Sequence, residues 1–172
     1  MQGGFRRKMS ANFGIIGATA VTLACLLLSG AYSAYIRRRV AEYSAYLGFL
    51  QLMRREISSS LPTARELGAR SSDSVLERLG FLPALCEGEL ISEAFSKTAK
   101  DSLISDADRE ALGRYFSDFG LGTLNTELSS LDAFTAFFLE RERAERSEAP
   151  RRIKLSATLL MLFAAAVTVL LI

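Results

Sequence analysis

Residues 9–36 read MSANFGIIGATAVTLACLLLSGAYSAYI and contain no charged side chain. A second uncharged stretch, residues 155–172, reads LSATLLMLFAAAVTVLLI. About 20 predominantly apolar residues in a helix cross the hydrocarbon core of a bilayer. We therefore predict two transmembrane helices, at residues 13–36 and 151–172, and a short basic N-terminal segment at residues 1–12.

The first apolar stretch has an alternative interpretation as a cleaved secretory signal. Basic residues 6–8 precede it, and the small residues 29–31 resemble a cleavage site. However, the stretch is longer than the core of a usual signal, which has about 7–15 residues, and three arginines follow it at 37–39. A retained membrane anchor is therefore the favoured interpretation.

Basic residues beside the two spans predict the orientation, because lysines and arginines near a span are retained in the cytoplasm. Many more of them lie between the spans than at residues 6–8, and residues 155–172 contain none. We therefore expect a cell-membrane protein with a cytoplasmic helical domain at residues 37–150 and both termini outside, although the basic cluster at 6–8 favours the opposite orientation. The basic residues expected at the lipid surface beside the spans are Arg37, Arg38, Arg39, Arg151, Arg152 and Lys154.

The composition argues against catalysis and against nucleic-acid binding. The chain of 172 residues has no histidine, and its 21 basic and 19 acidic residues give a formal net charge of +2. The side chain most used for acid–base and metal chemistry is therefore missing, and the charge is too small to indicate a nucleic-acid partner. Asp106 and Asp108 belong to a group of carboxylates, but they are expected at the start of a helix, whose dipole favours negative charge. We expect no enzymatic activity, no cofactor and no metal.

Helical periodicity dominates the segment between the spans, and no window alternates in the way that predicts strands. A first helix has apolar residues every three or four positions and ends before Pro62. Other helices are predicted around residues 90–99, from Ser105 to about 119, and from about Asn125 onward. We predict an all-α fold, an antiparallel bundle of about six helices between two transmembrane helices. The apolar face of the first helix consists of Ile36, Val40, Tyr43, Leu47, Leu50, Met53 and Ile57.

Two short helices are predicted from capping patterns. Thr63 with Glu66, and Ser74 with Glu77, have the spacing of a capping box, in which each side chain satisfies a backbone N–H of the other residue. The first of these helices is expected to stop near Gly68 and the second near Gly80.

A charged run at residues 140–148 is predicted to be exposed to solvent. Its glutamates and arginines have the four-residue spacing of helical ion pairs, with Glu142 preceding Arg146 and Glu148 preceding Arg152. Proline disrupts helix interiors, so we expect residue 150 to mark a turn or kink at the membrane surface.

The order of these parts resembles the stage III sporulation protein AB family, with an N-terminal anchor, a cytoplasmic helical domain and a second anchor. The resemblance covers nearly the whole chain and is carried by this arrangement more than by any single motif. Residues 50–57 end in Glu56 and Ile57 and are followed by Pro62, which is similar to a family segment between two helices. Phe119 and Gly120 are similar to the family's repeated Leu-Gly pairs, and the basic residues after Pro150 resemble its entry to the final span.

The sequence departs from the family pattern at three positions. Thr123 and Glu127 stand where the family has aspartate and glutamine, and Ser156 stands where it has tyrosine. The resemblance implies a helical bundle similar to the inner-membrane platform protein of type II secretion systems, without catalysis of its own.

The implied function is that of a scaffold in the channel that endospore-forming bacteria assemble between mother cell and forespore. The implied partners are a secretion-type ATPase resembling stage III sporulation protein AA and the other stage III membrane proteins of the channel. Two alternatives remain open from the sequence: a platform subunit of another type II or pilus-like secretion system, and a membrane-bound helical sensor or adaptor. An integral membrane enzyme is disfavoured by the absence of histidine.

Overall fold

All described residues that form regular secondary structure are helical. The computed structural model describes residues 3–59 and 62–171, with side chains described at 17–59 and 62–170, and these ranges contain no strand. The all-α prediction is therefore confirmed for the described chain, which has two long helices and five short ones. The helices are α1 (Gly3–Ser59), α2 (Ala64–Arg70), α3 (Ser74–Arg78), α4 (Phe81–Cys86), α5 (Ile91–Thr98), α6 (Asp106–Asp118) and α7 (Leu124–Leu171).

The chain divides into two compact units. One, here called the anchor unit, consists of the residues up to Arg37 and from Ser147 onward; the other, the central unit, consists of Arg38–Arg146. By length and composition, two helices are apolar enough to cross a membrane, in the segments Gly17–Ser59 and Leu124–Leu170. These segments belong to α1 and α7, and they are consistent with the two predicted spans.

The core of the central unit is built on the apolar face of α1. Tyr43, Leu50 and Met53 are fully buried, so the three-or-four-residue periodicity predicted this face correctly. Aromatic rings from the short helices pack against it; for example, the rings of Phe49 and Phe81 lie edge to face with centroids 5.0 Å apart. Burying a large apolar side chain stabilises a fold by about 1.5–3 kcal/mol, so this aromatic cluster is a major source of stability.

Three of the short helices, α2, α3 and α6, begin at side-chain caps. Thr63 and Glu66 form the predicted capping box at the start of α2. The prediction for α3 is wrong by one residue, because Asp73 rather than Ser74 is the N-cap: its carboxylate accepts from the backbone N–H groups of Val75 (2.8 Å) and Leu76 (3.2 Å). Aspartate caps a helix as well as serine does, which explains the shift.

The helix α4 was not predicted, because the sequence around it favoured a stop. Gly80 has a φ of +84°, a left-handed conformation that ends α3, and the same residue is the N-cap of α4. The next residue, Phe81, is fully buried. A six-residue helix gives too little periodicity to be recognised from sequence alone.

In α7 the helix continues through Pro150, so the predicted turn is wrong. A proline inside a helix removes one backbone hydrogen bond, at a cost of about 3 kcal/mol, which a helix of this length can offset. The two predicted ion pairs are confirmed, with N–O distances of 3.4 Å for Arg146 and Glu142 and 2.6 Å for Arg152 and Glu148.

Candidate functional site

The loop between α5 and α6 is held by a buried carboxylate of α1. Glu42 is only 5% exposed. Its Oε2 atom accepts hydrogen bonds from the Ser102 hydroxyl at 2.9 Å and from the backbone N–H of Leu103 at 2.6 Å. A buried carboxylate is costly unless its oxygens are hydrogen-bonded, so Glu42 fixes this loop and the loop satisfies Glu42.

A second buried carboxylate, Asp108, joins three parts of the central unit. It lies in the first turn of α6, as predicted, and is 5% exposed. Its Oδ2 atom accepts from the Tyr43 hydroxyl at 2.6 Å and from the Ser105 hydroxyl at 2.5 Å, and its Oδ1 atom lies 3.3 Å from Arg141 Nε. The carboxylate therefore links α1, the cap of α6 and α7.

Tyr43 keeps the hydroxyl proton with which it donates to Asp108. Burial and, next, the hydrogen bond to Asp108 raise the pKa of Tyr43 above its ordinary value of 10.0. The phenol therefore stays protonated at physiological pH and donates to Asp108, while its oxygen accepts from the backbone N–H of Ser105 at 3.1 Å. These bonds fix the start of α6 against α1.

Polar pairs also join α1 directly to α7. Arg39 Nη2 donates to Glu145 Oε1 at 2.8 Å, and Ser44 Oγ donates to Glu142 Oε1 at 2.9 Å. A further pair, Arg54 with Asp132, lies nearer the end of α1. Residues progressively later in α1 pair with residues progressively earlier in α7. These two helix segments therefore run antiparallel within the central unit.

The carboxylates of α6 do not converge on a pocket. Asp106 pairs with Arg109, and Glu110 pairs with Arg114 at 2.6 Å. Among the described side chains, no group of three His, Cys, Asp or Glu residues is placed to hold a metal ion. These two carboxylates of α6 therefore have arginine partners in ion pairs that support the fold.

Two of the predicted membrane-surface residues are engaged in ion pairs. Arg39 bonds to Glu145 as described above, and Arg152 Nη2 donates to Glu148 Oε2 at 2.6 Å. Arg39 is half-buried, so its pairing does more to hold α1 against α7 than an exposed pair would.

The other four predicted basic residues are exposed. Arg37, Arg151 and Lys154 have no ion-pair partner within the part of the chain that the structure describes. Arg38 lines a cleft of about 300 Å³ in the central unit, together with Arg78 and other residues. Exposed cations beside apolar helix segments are suited to anionic lipid headgroups.

The residues that resemble the family's first motif lie where α1 ends and α2 begins. Ile57 is buried, and Glu56 is half-buried and pairs with Arg70 of α2. Pro62, which is half-buried, comes just before the Thr63 cap. These contacts fix the direction in which the chain leaves α1.

The second motif lies in the loop between α6 and α7. Phe119 follows α6 and contacts Tyr115, with ring centroids 6.0 Å apart. Gly120 has a φ of +90°, which glycine adopts without strain and other residues rarely do. The next residue, Leu121, is 82% exposed, so the loop presents an apolar side chain to its surroundings.

Sequence reasoning missed the buried polar network. The run at 140–148 is not uniformly solvated as predicted, because Glu142 is 5% exposed. A signal was present, since Glu142 stands four residues after the fully buried Phe138 and therefore shares its helix face. Glu42 stands four residues before the fully buried Tyr46 of α1, which is a similar signal.

A comparison with known protein families gives a match over nearly the whole chain. The family model described as stage III sporulation protein AB matches residues 14–172. Neither a curated protein nor a solved structure gives a significant match.

Proposed function

Because the chain belongs to the stage III sporulation protein AB family, which implies a role in sporulation, we propose that it is a non-enzymatic platform of a secretion-like channel. In this proposal the channel connects mother cell and forespore. Two spans anchor the protein in the cell membrane, and the central unit lies in the cytoplasm with both termini outside. The central unit receives an ATPase resembling stage III sporulation protein AA, and the spans contact other stage III channel proteins.

The membrane location is supported by the two apolar helix segments and by the cations beside them. Segments of α1 and α7 have the length and composition of spans. Arg37, Arg151 and Lys154 are exposed close to these segments, as expected for residues retained on the cytoplasmic side. The cytoplasmic orientation of the central unit is inferred from this distribution of charge.

The observation that carries the platform proposal is the direct linkage of α1 to α7. The same two helices supply both candidate spans, and within the central unit they are joined by Arg39 with Glu145 and by Ser44 with Glu142. Residues 37–57 and 125–149 can therefore move as one rigid body when a partner displaces the central unit. Rigid-body displacement of packed helices is a common means of transmitting a conformational change.

We expect the ATPase to bind the charged surface of the central unit. Exposed charges steer reversible association and make it sensitive to salt. The central unit exposes ion pairs such as Glu110 with Arg114. A competing surface is the apolar loop that carries Leu121 and Leu124, which are 82% and 45% exposed.

A pull-down with the co-expressed ATPase tests the proposal. The tagged full chain should capture the ATPase at low ionic strength and release it as salt is raised. The double variant Leu121→Ser and Leu124→Ser should capture it equally well. Capture that resists salt and is lost in the double variant would place the contact on the apolar loop instead, and absence of capture at low salt would reject ATPase coupling.

The sporulation role has its own test in the source organism. Deletion of the gene should block spore formation, and the intact gene supplied in trans should restore it. Normal spore formation after deletion would contradict the proposed role, and expression outside sporulation would favour another secretion system.

A sensor or adaptor function is a second candidate, favoured by the cleft in the central unit. This cleft of about 300 Å³ presents both signs of charge, with Arg38 and Arg78 opposite in sign to Glu42 and Asp101. A small ligand that raises the thermal stability of the full chain, and fails to do so after Arg78→Gln, would support it.

A further inference from the structure

The anchor unit contains an apolar groove between its two helix segments. The groove has a volume of about 520 Å³ and is lined by Thr22, Cys25 and Leu26 of α1 and by Met161 and Ala165 of α7, among others. In a bilayer such a groove must be filled, because an empty apolar groove forfeits dispersion contacts along its walls.

Two cations lie beyond the same end of the groove. The chain runs from the groove to Arg37 along α1 and returns through Lys154 to the groove along α7. Both side chains are exposed, and neither has an ion-pair partner in the described part of the chain. The single acidic residue of the anchor unit, Glu148, pairs with Arg152. This end of the anchor unit is therefore complementary to an anionic group.

Helix geometry places these cations on the sides that border the groove. Arg37 follows Leu26 by eleven residues, about three turns, and Lys154 precedes Met161 by seven residues, about two turns. Each cation is therefore on nearly the same helix face as a groove-lining residue, about 10–16 Å farther along the axis. The long side chains of arginine and lysine can extend toward a headgroup while their stems contact apolar surface.

The size of the groove favours hydrocarbon chains over a third helix. Residues 157–169 of α7, which border it, span about 18 Å. Over that length a helix 10–12 Å wide occupies on the order of 1,400 Å³. Two hydrocarbon chains, each about 4 Å wide, occupy on the order of 450 Å³, which the groove can contain.

We propose that the anchor unit binds one anionic diacyl phospholipid, with its acyl chains in the groove between α1 and α7 and its phosphate at Arg37 and Lys154. This proposal rests on the proposed membrane location. The lipid would fill the groove and neutralise two cations that have no ion-pair partner among the described residues. It would therefore be a structural component of the paired spans.

Lipid retention by the full chain tests this site. The purified chain is reconstituted into vesicles of phosphatidylglycerol and phosphatidylethanolamine in equal amounts, extracted in mild detergent, and analysed by native mass spectrometry. We expect one phosphatidylglycerol per chain to be retained in preference to phosphatidylethanolamine. Circular dichroism confirms that each variant keeps the helix content of the unchanged protein.

Two pairs of variants, each with a matched control, test separately the groove for the acyl chains and the cations for the headgroup. Ala165→Phe fills the groove, whereas Ala166→Phe alters the next, exposed residue, which does not line it. The double variant Arg37→Gln and Lys154→Gln removes the headgroup cations, whereas Arg65→Gln with Arg143→Gln removes the same charge at exposed positions of the central unit. At about 1 kcal/mol per cation, the first double variant should retain about thirtyfold less phosphatidylglycerol, and its control should be unaffected.

Equal retention in Ala165→Phe and Ala166→Phe would reject the groove as the site. Equal retention of the two lipids by the unchanged chain would reject the anionic headgroup site. A lipid-free dimer that forms a disulfide through Ala165→Cys would show that a second copy fills the groove, and would also overturn the proposal. Any of these results with intact ATPase capture would reject the lipid site while leaving the platform function standing.

Discussion

The Tyr43 hydroxyl donates a 2.6 Å hydrogen bond to the Asp108 carboxylate, although the two residues are 65 positions apart in the chain. The same hydroxyl accepts from the backbone N–H of Ser105, the residue that caps α6. One phenol thus sets the position of α6 on α1, and the core aromatic rings of α6 follow from that position.

Replacing this phenol should loosen the start of α6. Tyr43→Phe keeps the buried ring but leaves the Asp108 carboxylate without one donor, which should lower the local free energy of opening by about 1–3 kcal/mol. Hydrogen exchange of the amides at 105–112 in the full chain measures this change. Tyr35→Phe, at an exposed position of α1, is the control and should leave those amides unchanged. Equal exchange in both variants would show that the hydrogen bond is not stabilising.

Two helical glycines should respond in opposite ways to alanine. A Cβ at Gly68 would lie 2.8 Å from Leu85 Cβ and 3.2 Å from the backbone N of Cys86, whereas one at Gly48 would have no neighbour within 4 Å. Gly68→Ala should destabilise the fold by about 1–3 kcal/mol through overpacking. Gly48→Ala should stabilise it by about 0.5–1 kcal/mol through helix propensity. Thermal unfolding in detergent should show a lower Tm for Gly68→Ala and a higher Tm for Gly48→Ala. A rise in Tm for Gly68→Ala would contradict the packing of α2 against α4.

The cap of α3 gives a test at two adjacent residues. Asp73→Ala removes the acceptor for two backbone N–H groups and should cost about 0.5–2 kcal/mol. Ser74→Ala alters the first helical residue and should have an effect within about 0.5 kcal/mol of zero. The same unfolding measurement compares them. If Ser74→Ala were the more damaging change, the capping box inferred from sequence would be the better description.

The exposed pair of Arg54 and Asp132 should make stability depend on acid pH. The hydrogen bond and charge of Arg54 lower the pKa of Asp132 below its ordinary value of 3.8. The folded state therefore favours the ionised carboxylate. The pair stabilises the fold fully above the ordinary pKa of Asp132, and this stabilisation is lost as the pH falls through the lowered pKa. Between about pH 5 and pH 2, the free energy of unfolding should fall less steeply with decreasing pH for Arg54→Gln than for Arg55→Gln. Identical profiles would show that the pair makes no contribution.

The orientation of the central unit can be tested at Cys86, which is exposed, in a chain with Cys25→Ser. A membrane-impermeant maleimide should leave Cys86 unlabelled in intact cells and label it after permeabilisation. The permeabilised sample is the control for reactivity. Labelling in intact cells would contradict a cytoplasmic central unit.

Elements that depend on spacing within one helix could be predicted from the sequence. The buried face of α1, the capping box of α2 and the start of α6 at Ser105 all follow from residues three or four positions apart. The helix α4 could not be predicted, since it is one turn and a half long and its N-cap, Gly80, is equally typical of a helix end.

The polar network could not be predicted because its partners are distant in sequence. Glu42 meets Ser102 and Leu103 only after the loop between α5 and α6 has packed against α1. Charged residues are usually exposed, and the spacing of Glu142 from Phe138 distinguishes it from the exposed Glu140 only when the face that carries Phe138 is known to be buried. The pairing of α1 with α7 decides which of the two lies inside.

The ion pair of Arg39 with Glu145 closes a stretch of 106 residues, and Ser44 with Glu142 closes 98. Neither contact can form until residues 142–145 have left the ribosome. A nascent chain that ends before Arg141 lacks both contacts and one partner of Asp108. Completion of the central unit is therefore tied to synthesis of the second apolar segment, which begins ten residues after Glu145.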